Sequence, residues 1–296
     1  MIEIHFIVNP VSNNGKTNKH FEKVENFLKN SHIKHFIHKT EYKKHAVKIA
    51  EEISSLGKPV HIIAVGGDGT FNEVLNGIKN FKNAYLSILP CGSGNDFASN
   101  FKNISETDPI ANVKRLIKQQ TTKVDFLVVN DKVRCINAIG AGIVPNVIKK
   151  YLSYKHFSQK TKYKLATFSK CLFFSVHKIK YSLDEGKNWI ENKVVSFSIG
   201  NGKNVGGGIN LIPDGIIDDG FITVSLIHKF CRLFTISNLI KLTKKGASSL
   251  KTNERFKCEK ILVKLDKKLY DIDGELYDDT DELSVRVVHN TLNFIV

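Results

Sequence analysis

The chain has 296 residues, 42% hydrophobic and 25% charged, an ordinary globular composition with enough apolar material for one large domain or two smaller ones. Its 44 Lys and Arg against 29 Asp and Glu leave a net charge of +15. Such an excess favours an anionic partner, whether nucleotide, nucleic acid or acidic membrane face, although a lysine-rich composition alone would give the same count. Lysine outnumbers arginine and no aromatic–basic interleaving forms a base-stacking platform, so nucleic acid is the weakest of the three. Five cysteines (Cys91, Cys135, Cys171, Cys231, Cys258), odd in number and without C-x-x-C spacing, argue against a disulfide framework or zinc site and for a reducing cytoplasm. The start, Met1-Ile2-Glu3-Ile4, has no basic n-region, and no apolar run reaches the roughly 20 residues a bilayer demands, so no leader and no membrane span are expected.

Along the chain, Glu3 to Val8 reads as a strand, Asn18 to Lys29 as a helix, and Ile33 to His38 as a second strand. Glu41 to Leu56 is a second helix, with Ala46, Ile49, Ala50 and Ile53 at helical spacing. The apolar run Val60 to Val65 is a buried strand, Thr70 to Ile78 a helix, Tyr85 to Leu89 a fourth strand and Asp108 to Gln120 a helix. This β-α alternation predicts a parallel sheet with helices on both faces, an α/β nucleotide-type domain. Beyond it, strand-like runs at Val124 to Val129, Val133 to Ile139, Val194 to Ile199, Gly220 to Leu226, Lys260 to Leu265 and Leu283 to Val288 predict a β-rich, sandwich-like domain. Helical patterns interrupt them at Thr161 to His177 and Phe230 to Lys244. The boundary falls near Thr121 to Lys123, dividing the chain into 1–122 and 123–296, with the last residues packing back on the first domain.

Three loops leave the carboxyl ends of the first strands: Asn9 to Lys16, Gly66 to Thr70 and Pro90 to Asp96. All are rich in Gly, Asn, Ser or Thr, and ligands of parallel sheets bind at those ends. Gly66, Gly67 and Gly69 after a strand permit positive φ and close approach of a phosphate to bare backbone, with the N–H groups of the next helix pointing at it. Asp68 in that loop suits a metal or a positioned polar group better than a naked phosphate. Gly15-Lys16-Thr17 is not a Walker A loop, because its first required position is Pro10. Neither Gly67-Asp68-Gly69 nor Gly92-Ser93-Gly94 completes G-x-G-x-x-G, since Asn72 and Phe97 stand where glycine should. A Rossmann hydride-transfer enzyme is therefore excluded. In the third loop Ser93 and Asn95 can bond phosphate or sugar, and Asp96 can act on a metal or hold the loop; Asn95 or Asp96 as a helix N-cap serves equally. Asp214, Asp218 and Asp219 among glycines offer oxygen ligands to a hard cation, or a solvated loop. Asp273-Gly274 favours a type I′ hairpin turn, with Glu275 beside it. The basic, apolar stretch Phe230 to Lys244 can lie on an anionic membrane or pack as an ordinary surface helix.

Taken together, Ile7-Val8-Asn9-Pro10, Gly66-Gly67-Asp68-Gly69-Thr70 with Asn72-Glu73, Leu89-Pro90-Cys91-Gly92-Ser93-Gly94-Asn95-Asp96-Phe97, Pro213-Asp214 to Asp218-Asp219-Gly220 and Asp273-Gly274-Glu275 resemble, in order and over nearly the whole chain, the diacylglycerol kinase catalytic family. These are bacterial lipid kinases related to sphingosine kinases and more distantly to NAD kinases. The resemblance implies ATP and Mg²⁺, with the nucleotide in a cleft between the two domains. Asn9, Pro10, Val11, Ser12, Asn13, Thr40, Gly66, Gly67, Asp68, Gly69, Thr70, Asn72, Glu73, Ser93, Asn95 and Asp96 are the nucleotide positions it points to. It implies that Asp68 works with the ATP-bound Mg²⁺ and that Glu275 is the general base. It also implies that Asp219, with the carbonyls of Ile216 and Phe221, holds a structural Mg²⁺. The implied activity is ATP-dependent phosphorylation of a lipid alcohol, diacylglycerol first, at the inner face of an anionic membrane by a cytoplasmic, peripheral protein that could pair as a homodimer and has no nucleic-acid partner. The rival is an NAD-kinase-like enzyme with a soluble hydroxyl substrate.

Overall fold

The computed structural model describes every residue except Met1, Ser93, Glu106, Gln119, Lys155, Phe157, Ser158, Phe230 and 232–234, and the side chains of Gln159 and Lys160. It divides into two compact units, Met1–Asp125 with Asn290–Val296, and Phe126–His289. Among the described residues no helix is long and apolar enough to cross a membrane.

The first unit alternates β1 (Glu3–Val8), α1 (Lys16–Lys29), β2 (His35–Lys39), α2 (His45–Ser54), β3 (Val60–Gly66), α3 (Asp68–Gly77), β4 (Ala84–Pro90) and α4 (Pro109–Leu116). The strands lie in the order β4–β3–β1–β2, all parallel, and Asn293 and Phe294 near the C-terminus add a further parallel pairing beside β4. All seven residues of β3 are buried, as expected of a parallel strand covered on both faces. On one face Phe21, Val24 and Leu28 of α1, at i, i+3 and i+7, join Val113 and Leu116 of α4 over Ile4, Phe6, Val8, Ile63 and Val65. The packing of α2 on α3 needs a glycine at Gly77, where a Cβ would strike the Val47 carbonyl oxygen.

The chain passes into the second unit within β5 (Thr121–Val129) and continues through β6 (Val133–Cys135), β7 (Ala138–Gly142), α5 (Ile143–Ser153), α6 (Gln159–Leu172), β8 (His177–Ser182), β9 (Ile190–Gly200), β10 (Asn204–Val205), β11 (Ile209–Asn210) and β12 (Ile222–His228). There follow α7 (Thr235–Lys245), β13 (Asn253–Cys258), β14 (Lys260–Leu265), β15 (Tyr270–Ile272), β16 (Glu275–Tyr277) and β17 (Glu282–Ile295). Its described pairings are antiparallel: β9 runs beside β7, β8 and β12, β15 beside β7 and β16, and β14 beside β8 and β17. Leu127, Ile139, Phe197, Ile199, Val224, Leu226, Ile261, Val263 and Val285 meet in its core. An N-terminal parallel-sheet α/β unit followed by a β-rich unit is the fold class expected from sequence.

Several elements differ from their sequence expectation. The helix expected to reach His177 ends at Leu172, and His177–Ser182 is a strand whose burial alternates as a half-buried strand's should. The run Val133 to Ile139 is two strands, interrupted where the amides of Ile136 and Asn137 turn to a side-chain carboxylate instead of a ladder. Helix α5 was not foreseen. The helix expected over Phe230 to Lys244 is described from Thr235 to Lys245; Phe230, Arg232, Leu233 and Phe234 lie outside the described residues.

Candidate active site

In the first unit the loops after β1, β3 and β4 converge at the carboxyl ends of the strands. The loop after β1 is tied down by its own backbone. The Asn9 amide donates to the Val65 carbonyl at 3.0 Å, Ser12 N–H to the Asn9 carbonyl at 3.3 Å, and the Thr17 hydroxyl to the Ser12 carbonyl at 3.1 Å. Asn13, Asn14 and Gly15 all have positive φ (52°, 56° and 80°), the left-handed region that Asn and Gly tolerate best. Pro10 is half-buried, and Val11 stands out to solvent. The Asn9 side-chain amide donates to Thr70 Oγ1 at 3.1 Å, while its own oxygen is buried with no partner among the described residues. Buried polar atoms are rarely left so, and an incoming donor would complete this one. The Thr40 amide bonds the Val8 carbonyl at 2.9 Å, which sets Thr40 beside the end of β1.

The glycines after β3 serve a purpose that spacing did not reveal. None of Gly66, Gly67 and Gly69 has positive φ. Instead the loops after β3 and β4 touch backbone to backbone: a Cβ on Gly67 would lie 3.0 Å from Gly92 Cα, and one on Gly92 would run into Gly67 Cα. A Cβ on Gly66 would collide with Thr70. Only Gly69 faces open space. Asp68, in the first turn of α3, accepts the Asp96 N–H at 2.9 Å on Oδ2 and the Phe97 N–H at 3.0 Å on Oδ1. Its carboxylate thus fastens one glycine loop to the other, and its charge suits the positive end of the helix dipole. Asn95, at φ 54°, accepts the Gly92 N–H at 3.0 Å, holding the third loop in its turn. Asp96 is buried. Glu73 Oε1 accepts the Lys44 N–H at 3.1 Å at the start of α2, and Asn72 Oδ1 accepts from Asn76 at 3.1 Å. Ser93 lies outside the described residues.

In the second unit β15 and β16 form a hairpin in which Ile272 pairs with Glu275. The two-residue turn has φ 47° at Asp273 and 84° at Gly274, the type I′ geometry expected of Asp-Gly. Asp273 does more than turn the chain. Its carboxylate accepts the N–H groups of Ile136 at 2.7 Å, Asn137 at 2.9 Å and Ala138 at 3.0 Å, and the Cys135 thiol at 3.2 Å. Burial pushes its pKa up while those donors pull it down. Asp271 is buried with Oδ1 unpartnered among the described residues, and burial holds its carboxyl well above the usual range. A Cβ on Gly140 would strike that same oxygen. Glu275 is half-buried at the start of β16. Tyr277 shares a side-chain hydrogen bond with it, and burial, with Glu275 next, lifts the phenol to about 12. Asp271 and Tyr277 were missed from sequence; the two-residue spacing of Asp271 and Asp273 was the available signal that both turn inward.

Of the residues expected to hold a structural Mg²⁺, Asp219 has its carboxylate already partnered. Asp219 Oδ1 accepts the Phe221 N–H at 3.0 Å, and Oδ2 lies 2.5 Å from the Lys257 ammonium. The side chains of Ile216 and Phe221 are exposed. Arg255 pairs with Asp214 at 3.2 Å in the same loop. A cation at Asp219 would therefore compete with the Lys257 ammonium for that carboxylate. Among the described residues no three His, Cys, Asp or Glu side chains gather to hold a metal ion.

Comparison with known proteins bears on the family. Residues 3–129 match the diacylglycerol kinase catalytic domain, and residues 137–296 match the YegS C-terminal NAD kinase beta sandwich-like domain. A YegS-like protein of Klebsiella pneumoniae (strain 342) is 30% identical over 222 residues, 73% of this chain and 69% of that one. A diacylglycerol kinase of Staphylococcus epidermidis (strain ATCC 12228) is 27% identical over 186 residues, 62% of this chain but only 57% of that relative's length. A crystal structure of a diacylglycerol kinase from Bacillus anthracis str. Sterne superposes with a TM-score of 0.75 at 22% identity, covering 99% of this chain and 96% of that one; at that identity the likeness concerns the fold. The chain belongs to the diacylglycerol kinase catalytic family of lipid kinases.

Proposed function

We propose that the chain transfers the γ-phosphoryl group of ATP to the hydroxyl of a lipid alcohol, diacylglycerol being the foremost candidate. The observation that carries the lipid half of this reading is an apolar hollow in the second unit. It is lined by Val144, Val147, Phe174, Ile209, Leu239 and Leu242 among others. A soluble dinucleotide acceptor needs no such wall, whereas an acyl chain does. The choice of diacylglycerol is supported by the names of relatives such as the S. epidermidis protein.

Phosphoryl transfer requires a held phosphate chain and charge stabilisation on its oxygens. The first unit supplies the means: the α3 N-terminus, the bare Cα of Gly69, the asparagine-rich loop after β1, and the orphaned Asn9 oxygen for a donor on the nucleotide. Mg²⁺ would accompany ATP as part of that substrate, and Asp68, in the first turn of α3, is the acid that would assist it. In the second unit Glu275 accepts the proton of the acceptor hydroxyl as the new P–O bond forms and ADP leaves. Asp273, anchored by three amides, fixes the turn from which Glu275 projects. Labelled ATP offered with a panel of lipid alcohols tests the reading. Glu275→Ala should lower lipid phosphorylation by about 10²–10⁴-fold and leave ATP affinity near wild type. Full turnover by that variant, or phosphorylation of NAD and of no lipid alcohol, would overturn it.

A further inference from the structure

The hollow of the second unit is not wholly apolar. Thr167 of α6 and Ser196 of β9 stand in its wall beside Val144, Phe174 and Leu239. Thr167 is 8% exposed and Ser196 2%, and the hydroxyl oxygen of each is buried with no hydrogen-bond partner among the described residues. Buried hydroxyls are nearly always partnered, because burial takes away the water that would otherwise bond them. Two such groups in the wall of one cavity call for an occupant that completes them.

Local geometry explains why neither hydroxyl finds a partner. Tyr163, Thr167 and Cys171 recur at i, i+4 and i+8, so one stripe of α6 faces the hollow. A helical threonine ordinarily returns its hydroxyl to a carbonyl three or four residues back; that of Thr167 does not. Ser196 pairs across the sheet with Gly142 of β7 and Ile227 of β12, and neither has a polar side chain to offer it. Tyr163 and Thr235, polar residues of the same wall, are engaged with other groups. Thr167 and Ser196 thus hold two hydroxyl donors in reserve, on separate elements, within a wall that is otherwise mainly aliphatic and aromatic.

We propose that Thr167 and Ser196 are specificity residues of the acceptor site, whose hydroxyls donate hydrogen bonds to the acyl-ester carbonyl oxygens of the lipid. The proposal rests on the lipid-kinase reading of the same hollow and narrows its substrate class. A carbonyl oxygen brings an acceptor and no proton, so a single hydroxyl donor suffices to bury it. A free alcohol brings a donor as well, which would need an acceptor of its own, and the alcohol to be phosphorylated belongs at Glu275. An isoprenoid alcohol has no polar atom along its chain and would leave both hydroxyls unpaired, which a site built to hydrogen-bond its substrate penalises. The pair therefore selects ester-linked acyl lipids from the wider set of lipid alcohols.

Two readouts on the full chain test the assignment: turnover of labelled ATP, and displacement of the fluorescent apolar probe diphenylhexatriene, which reads the hollow without chemistry. The ligands are dihexanoylglycerol, its ether-linked dihexyl counterpart, which lacks the carbonyls, and farnesol. Wild type should take the diester with a KM and a displacement constant about tenfold below those of the diether and of farnesol. Ser196→Ala and, separately, Thr167→Val should raise the diester values several-fold towards those of the diether, with kcat kept and the diether changed far less. Thr167→Ser, which keeps the hydroxyl, should retain the preference for the diester. The ligand-free melts of Ser196→Ala and Thr167→Val should match or exceed wild type, since each removes an unpaired buried hydroxyl; a hydroxyl that served packing alone would lower the melt and shift both ligands alike. The two sites are tested independently, so a variant that fails to fold leaves the other to decide. Equal binding of diester and diether by wild type, turnover of farnesol in preference to the diester, or variants that weaken both glycerolipids to the same extent would overturn the proposal. The kinase reading is judged separately: turnover of lipid without ester preference removes the carbonyl contacts alone, and ester-selective displacement without turnover removes the kinase reading alone.

Discussion

Replacing the glycines of the first unit one at a time separates those that pack from the one that admits a ligand. A Cβ at Gly92 would enter the space of Gly67 Cα and come 2.8 Å from Asn95 Oδ1. Backbone lies on both sides of that contact, so neither loop can yield by rotating a side chain. Overpacking of this kind costs about 1–3 kcal/mol, and for a chain of this size each kcal/mol lowers Tm by about 2–4 °C. Gly92→Ala should therefore melt about 5 °C low and bind ATP poorly because the pocket is distorted. Gly69 differs: nothing lies within 4 Å of its added Cβ, and its φ is not positive. As a residue of α3, an alanine there should leave stability unchanged or raise it by about 0.5 kcal/mol. If phosphate rests against that bare Cα, however, the methyl should weaken ATP by about tenfold, or 1.4 kcal/mol. Thermal unfolding followed by circular dichroism, with calorimetric titration of ATP, reads both quantities on each variant. Gly69→Ala with wild-type ATP affinity would refute the phosphate cradle, and Gly92→Ala with wild-type Tm would refute the contact between loops.

Three further outcomes follow from the same geometry. Asp273→Ala strands three amides around a buried gap, so it should lower stability by about 3 kcal/mol or more and reduce turnover through Glu275; Asp273→Asn, which keeps one acceptor oxygen, should fall between, and a melt indistinguishable from wild type would contradict the anchoring role. His61 is fully buried against Ser87, and burial depresses its pKa to about 3 from an ordinary 6.5. Its neutral form is thus native while the unfolded chain takes up the proton, so stability is lost as pH falls from about 6.5 towards 3, by about 2 kcal/mol at pH 5. Denaturant titrations of His61→Asn should show a shallower loss over that window, and an equal slope would show that other groups govern it. Because Lys257 already holds Asp219, EDTA or Mg²⁺ should leave the wild-type Tm alone, whereas Lys257→Met should gain stability from Mg²⁺; a wild-type melt that drops several degrees in EDTA would restore a metal to that loop.

Much of this was legible in the sequence because it depends on near neighbours. Val60 to Val65 must be a buried strand, Asp273-Gly274 must turn as type I′, and strands alternating with helical spacing must build a parallel sheet. Those follow from side-chain size, periodicity and backbone sterics over a few residues. The order of Gly66-Gly67-Asp68-Gly69-Thr70, the Gly-Asn-Asp-Phe loop and Asp-Gly-Glu was also enough to point to the family. Spacing misjudged the reason for the glycines, since close approach of Gly67 to Gly92 joins loops that are distant in the chain. It likewise ran α6 into His177, because only the neighbouring strands β9 and β14 make His177–Ser182 extended.

What the sequence alone determined is therefore the kind of protein: a basic chain of two units, one α/β and one β-rich, with phosphate-type loops at the strand ends. The tertiary structure decided where the carboxylates work. Asp68 clasps Asp96 and Phe97, Asp273 clasps Ile136 through Ala138, and Asp219 is held by Lys257. It also set Thr167 and Ser196 in the wall of one hollow. Each of these joins residues dozens of positions apart, and a hydrogen bond or a charge field depends on distance in space, which periodicity along the chain does not encode.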